Sequence, residues 1–279
     1  MLTACSRNLD LVGMVAGQSP VPDVRYEQSI AYNDTTASRD IIHLTDSYRF
    51  YVGTDMHIDS AYDNTLTYLH AFRNDLLAPF TLMLGDMVNA RDNIPWVREI
   101  FNKETGYKSN RVYATVGNHD VYFNQWHEWQ EQWGSSTYSF VVNTPRHKDL
   151  YICFDSANGT IGKKQLEWLK ALLDKSQLTE YRHKIIFTHT HIFKKDESQG
   201  HTSNYAMEET YYLTDLFSRY GIDLFLCGHD HSREITEFKG VTYITVDALE
   251  EHYPNAYYMI ATVGDDITYE FVPVGEQDE

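Results

Sequence analysis

Five short clusters in this 279-residue chain carry side chains that hold metal ions or move protons. They are Asp55-Met-His57, Gly85-Asp86-Met-Val-Asn89, Gly117-Asn118-His119-Asp120, His189-Thr-His191 and Gly228-His229-Asp230-His231. Mixed carboxylate, amide and imidazole donors suit Mn, Fe or Zn better than Mg or Ca. Any one cluster is weak evidence, because a lone Asp-x-His is commonly a solvated loop pair. Their placement is what unites them. Each follows an apolar run of strand type, over 50–54, 80–84, 111–116, 184–188 and 223–227. The carboxyl ends of strands in an open α/β sheet face one crevice. Segments far apart in sequence therefore converge there. In an extended chain, residues i and i+2 point to the same side, which would pair Asp55 with His57 and His229 with His231. The glycines allow the tight turns that aim the next side chain back at the crevice.

The elements that must carry these clusters alternate. Helical spacing is expected over 60–77, 94–104, 124–133, 163–174 and 207–220, and further strands over 137–142 and 150–154. From residue 234 the character changes to consecutive strands at 234–238, 241–247, 256–263 and 267–273. The pattern predicts an α/β protein with large mixed sheets and helices outside. Residues 6–40 are rich in Ser, Asn, Asp, Thr and Pro and read as a tether or strap, so residues 1–40 form an N-terminal extension before one domain over 41–279.

Composition narrows the partners. Lys+Arg number 23 against 40 Asp+Glu, a formal charge of −17. That sign repels long nucleic acids and anionic membranes. Three cysteines exclude a disulfide framework, and Cys153 and Cys227 sit in apolar strand contexts as buried thiols. No apolar run reaches the ~18 residues of a membrane span. Leu2-Thr-Ala-Cys5 matches the lipobox of bacterial lipoproteins. If Cys5 carries a lipid anchor, the protein sits in the cell envelope or periplasm; otherwise the N-terminus is an ordinary cytoplasmic one.

Taken in order, the five clusters strongly resemble the calcineurin-like metallophosphoesterase family. Its pattern runs D-x-H, G-D-x-x-[NY], G-N-H-[DE], a lone His at a strand end, then G-H-x-H. The resemblance covers about residues 45–272. It implies a four-layer α/β/β/α sandwich of two mixed sheets with flanking helices, and a centre of two divalent or trivalent transition-metal ions. One ion would take Asp55, His57 and His231. The other would take Asn118, His189 and His229, with Asp86 bridging both alongside a hydroxide that acts as nucleophile. His119 would face the phosphate and protonate the leaving oxygen, and Asp120 would hold the other His119 nitrogen and favour the imidazolium. The implied substrate is a small phosphoester. A monoesterase, a phosphodiesterase of cyclic nucleotides or nucleic acid, and a protein phosphatase stay open, as does a catalytically silent binding module. Two positions depart from related patterns. Purple acid phosphatases carry Tyr at the place of Asn89 and lack the His at 57, so an Fe–Tyr charge-transfer centre is not expected. The fourth motif usually reads His-x-Pro. Here His189 is the expected ligand and His191 a rim or supporting group that could touch phosphate.

Beyond the motifs, Tyr122 and Phe123 are the candidates for a substrate-facing aromatic wall. Trp126, Trp129 and Trp133 fall on one helical face and are expected to pack that helix onto the body. Residues 194–206, with Lys194, Lys195, His201 and Tyr205, read as a surface loop able to cover the site. Glu208, Glu209, Glu250 and Glu251 read as solvated faces.

Overall fold

In a computed structural model, residues 20–58, 62–89, 93–194, 205–250 and 255–275 are described. The expected apolar runs fold as strands. β1 (Ile41–Ile42), β5 (Tyr138–Asn143), β6 (Lys148–Cys153), β7 (His183–Phe187), β8 (Leu224–Cys227), β9 (Glu234–Phe238) and β10 (Val241–Thr245) build one sheet, in the order β1-β5-β6-β7-β8-β10-β9. β2 (Tyr48–Gly53), β3 (Phe80–Met83), β4 (Val112–Ala114), β11 (Tyr257–Val263) and β12 (Ile267–Pro273) build the second, in the order β12-β11-β2-β3-β4. Both are mixed. β2, β3 and β4 run parallel, as do β6, β7, β8 and β10 and the edge pair β1 and β5, while β5 pairs antiparallel with β6, β9 with β10, and β11 with both β2 and β12.

Three cores separate four layers. Between the sheets lie Phe50, Val52, Phe80, Leu82, Tyr151 and Phe187. Helices α2 (Asp63–Asn74), α3 (Ile94–Thr105) and α4 (Trp126–Trp133) cover the five-stranded sheet through Tyr68, Phe72, Val97 and Phe101. Helices α5 (Lys163–Ser176) and α6 (Met207–Arg219) cover the seven-stranded one through Leu169, Leu173, Leu213 and Phe217. This is the expected architecture of two mixed sheets with flanking helices.

Part of the segment read as a tether is a helix, α1 (Pro22–Asn33). Periodicity misses it because its buried residues are Arg25 and Ser29, not an apolar stripe. Arg25 donates from Nε and a terminal nitrogen to Asp155 at 2.7 and 2.9 Å, with both side chains fully buried. The same guanidinium lies 5.8 Å from the Trp126 ring centroid, and the Trp126 indole donates to Gln28 at 2.6 Å. Cys5 lies outside the described residues. Cys153 and Cys227 are buried free thiols. Among the described residues, no helix is long and apolar enough to cross a membrane.

Candidate metal centre

The parallel strands stop two to four residues short of the candidate ligands, and the loops beyond them are stitched edge to edge. Asp55 N–H donates to the Gly85 carbonyl, His57 N–H to the Asp86 carbonyl and Gly228 N–H to the His189 carbonyl, at 2.9–3.1 Å. Thr190 ties the His189 turn to the end of β6, donating from its N–H to Ser156 Oγ at 2.8 Å and from its hydroxyl to the Ser156 carbonyl at 2.7 Å. Asp55, His57, Asp86, His229 and His231 all have positive φ, between 43° and 75°. Each such residue costs roughly 1–2 kcal/mol, and they persist only where surrounding contacts over-determine them. The ligand pairs therefore converge through left-handed turns, not through the extended chain that their i, i+2 spacing suggests. The glycines divide in role. Gly85, at φ 92°, makes a turn. Gly117 and Gly228 permit close approach. A Cβ on Gly117 would lie 2.1 Å from Asp86 Oδ1, and one on Gly228 would lie 2.0 Å from Thr54 Oγ1 and 2.4 Å from Asp55 Oδ2.

Two donor clusters meet at Asp86. In the first, His231 Nε2 lies 3.5 Å from Asp55 Oδ1 and 3.3 Å from His57 Nε2. Thr54 and the His229 N–H hold Asp55 Oδ2 at 2.6 and 2.8 Å, and Oδ1 is buried with no hydrogen-bond partner among the described residues. Asn89 Oδ1 accepts from His57 Nδ1 at 2.8 Å, which turns Nε2 inward. In the second, His189 Nε2 lies 2.9 Å from Asn118 Oδ1, 3.1 Å from His229 Nδ1 and 3.3 Å from Asp86 Oδ2. His189 Nδ1–H donates to the Leu84 carbonyl at 2.8 Å, and Asn118 donates its amide N–H to the Tyr122 hydroxyl at 2.8 Å. Asp86 Oδ2 is also 3.8 Å from His57 Nε2, so one carboxylate faces both clusters. Its Oδ1 accepts the His119 N–H at 2.8 Å.

The electrostatics favour cations here. Burial would raise the Asp86 carboxyl, but His189, His119 and His57 hold it well below the usual carboxylate range. Burial would lower His189, but Asp86 raises it to about 9. Burial keeps His229 well below its ordinary value, hence neutral and able to ligate. A buried orphan carboxylate oxygen, inward-turned imidazole nitrogens and a shared carboxylate fit two transition-metal ions. The Asp55/His57/His231 and Asp86/His189/His229 groups each bring their ligand atoms within 4.8 Å of one another, and His57/Asp86/His119 forms a third such group.

The other expected site residues take varied positions. His119 faces the centre, its ring 4.5 Å from that of His57 and 4.8 Å from that of Tyr122. Asp120 does not hold it. Both Asp120 oxygens are occupied by backbone N–H groups, of Asp86 and Gly117 on one oxygen and Met87 and Val88 on the other. The expected orienting role is therefore corrected: Asp120 clamps the β3 and β4 loops together. Without that partner, burial lowers the His119 imidazole from its usual value. His191 is not on the rim. It is buried, neither ring nitrogen has a partner among the described residues, and its ring packs 5.5 Å from that of His229. Burial lowers it to about 4. Of the two expected roles, burial against His229 fits the supporting one and not the rim or a phosphate contact.

Tyr122 supports Asn118, while Phe123, with φ 55°, is 57 % exposed with its ring 6.4 Å from that of Tyr122. Trp126 and Trp129 are buried and stacked at 5.5 Å, and Trp133 packs on Phe101 at 5.1 Å, as the packing role requires. Tyr205 is buried in the core below α6, and Lys194 pairs with Asp230. Lys195 and His201 lie outside the described residues. Sequence reasoning missed Glu250. Its Oε2 is 3.9 Å from His57 Nε2. The signal was present, since Glu250 lies just beyond the carboxyl end of β10, another parallel strand of the set.

The calcineurin-like phosphoesterase model matches residues 48–233, two-thirds of the chain and all five clusters. The chain belongs to this family. No curated protein matches the sequence. Among solved structures it is similar to a dimetal phosphatase from Danio rerio, with a TM-score of 0.59 at 15% identity over 82% of this chain and 97% of that one. It is similar to GAP50, the anchor in the inner membrane complex of Plasmodium, with a TM-score of 0.64 at 15% identity over 82% and 85%. A purple acid phosphatase from yellow lupin gives 0.58 at 13% identity over 82% and 52%. At these identities the likeness is one of fold.

Proposed function

We propose that this protein hydrolyses small phosphoesters at a binuclear transition-metal centre. The observation that carries the reading is Asp86, one buried carboxylate set between two three-residue donor groups. Asp55, His57 and His231 would hold one ion, Asn118, His189 and His229 the other, with Asp86 shared. When bound, two such ions supply Lewis acidity toward the phosphoryl oxygens and an activated water as nucleophile. The chain's own groups do the rest. Asn89 and the Leu84 carbonyl fix the tautomers of His57 and His189, leaving Nε2 of each turned inward. His119, held over Asp86 through its backbone N–H, donates a proton to the leaving oxygen. Phe123, exposed at the His119 side, offers a face to an apolar or aromatic leaving group.

The acidic balance disfavours long nucleic acid as substrate. Lipid anchoring at Cys5, and with it an envelope location, belongs to the same proposal and is read by mass spectrometry of the cellular product. The main test compares wild-type, chelated and Asp86→Asn protein on p-nitrophenyl and bis(p-nitrophenyl) phosphate, with metal content measured alongside. Turnover should vanish on chelation, return with Mn, Fe or Zn, and be lost in Asp86→Asn. Turnover that survives chelation and Asp86→Asn overturns the reading. A folded, metal-loaded protein inert on both esters points to a binding role instead.

A further inference from the structure

The segment after β10 is built into the site. Leu249 N–H donates to the Thr54 carbonyl at 3.1 Å, and Glu250 N–H donates to the carbonyl of Asp55 at 3.0 Å. Asn64 donates to the Leu249 carbonyl at 2.9 Å, and Val246, Ala248 and Leu249 are buried. The backbone at Glu250 is therefore fixed against the strand end that carries Asp55. Its side chain is 44 % exposed and looks two ways, toward solvent and toward His57 Nε2 at 3.9 Å. His57 Nε2 thus sees three carboxylates: Asp55 at 3.9 Å, Asp86 at 3.8 Å and Glu250 at 3.9 Å. The first two belong to the metal-ligating groups, and Glu250 does not. It is a partly exposed negative charge beside the His57 nitrogen that faces the centre.

We infer that Glu250 selects substrates by the charge on the reacting phosphorus, admitting the monoanionic diester in preference to the dianionic monoester. This rests on the proposed phosphoesterase reading and adds the substrate class. Two divalent ions set against Asp55, Asp86 and one hydroxide leave the centre at about +1. Glu250 brings the total to about neutral, so a second negative charge on the ligand gains little by entering. At effective dielectric constants between those of a protein surface and water, a partly exposed charge one residue-length away changes binding by about threefold per unit charge on the ligand. A dianion is therefore affected on the order of tenfold and a monoanion about threefold.

The test uses the metal-loaded full chain and Glu250→Gln. Calorimetry at about pH 8, where phosphate monoesters are dianions, measures affinity for inorganic phosphate and for dimethyl phosphate. Removing the carboxylate should tighten phosphate on the order of tenfold and dimethyl phosphate about threefold. The ratio of kcat/KM for p-nitrophenyl phosphate over bis(p-nitrophenyl) phosphate should rise about threefold. Metal content should equal that of wild type. Equal shifts for the two anions, or none, overturn the inference, and loss of an ion from Glu250→Gln overturns it by making Glu250 a ligand. If wild type turns over neither ester while the phosphate shift appears, the phosphoesterase reading fails and charge selection stands.

Discussion

Replacing Gly228 with alanine perturbs the metal centre without replacing any proposed ligand. The added Cβ would lie 2.0 Å from Thr54 Oγ1, 2.4 Å from Asp55 Oδ2 and 2.9 Å from Thr54 Cβ, where real Cβ contacts stay beyond 3.0 Å. The hydroxyl must retreat by at least about 1.0 Å and the carboxylate by about 0.6 Å. Rotating Thr54 does not suffice, because its Cβ is also too close, and rotation breaks its 2.6 Å bond to Asp55. The His229 N–H that holds the same carboxylate oxygen moves with the backbone. Overpacking of this size costs roughly 1–3 kcal/mol. At about 2–4 °C per kcal/mol for a chain of this class, Tm should fall by roughly 2–12 °C. Disturbing a carboxylate ligand and its support should also weaken metal affinity about 10–100-fold. Differential scanning calorimetry and competition with a chromophoric chelator read the two effects. Gly264→Ala is the control, since the nearest heavy atom to its Cβ is 3.7 Å away. If Gly228→Ala keeps the wild-type Tm and binds both ions at wild-type affinity, the close-approach argument is wrong.

Three further outcomes are expected. His119→Ala should retain both ions and lose roughly 10²–10⁴ in rate, read by metal analysis and steady-state kinetics; loss of an ion would make His119 a ligand. Arg25→Ala strands the buried Asp155 carboxylate and should cost about 3–5 kcal/mol by urea denaturation; a cost under about 1 kcal/mol would show that α1 is not pinned through this pair. His183 bonds the Gly264 carbonyl at 3.0 Å, and although burial would lower its pKa, Asp223 and that carbonyl raise it above its ordinary value. Its stabilisation is then fully present below about pH 6.5 and lost as pH rises through the raised value. The stability gap between wild type and His183→Gln should shrink from about pH 6 to pH 9, and a constant or widening gap contradicts this.

The sheets and the gathering of metal-capable residues were legible because each rests on a local signal. Apolar runs mark the strands, and polar metal-capable residues stand out where those runs stop. What was not legible is what local pattern does not encode. Helix α1 buries Arg25 and Ser29, so no hydrophobic period announces it. Asp120 sits beside His119 in sequence, yet its carboxylate turns to four backbone N–H groups across two loops. His191 shares a motif with His189 but is buried with its ring 5.5 Å from that of His229, and neither of its nitrogens has a partner among the described residues. Glu250 looked like one solvated acid among many, because only strand order places the end of β10 next to that of β8, in the row of strand ends that forms the site.

The central claim is that Asp86 bridges two transition-metal ions. Anomalous diffraction at the metal absorption edges, on crystals of the metal-reconstituted protein, tests it most directly. The account predicts two peaks flanking the Asp86 carboxylate, one against Asp55, His57 and His231 and one against Asn118, His189 and His229. A single peak, or peaks away from Asp86, would contradict it.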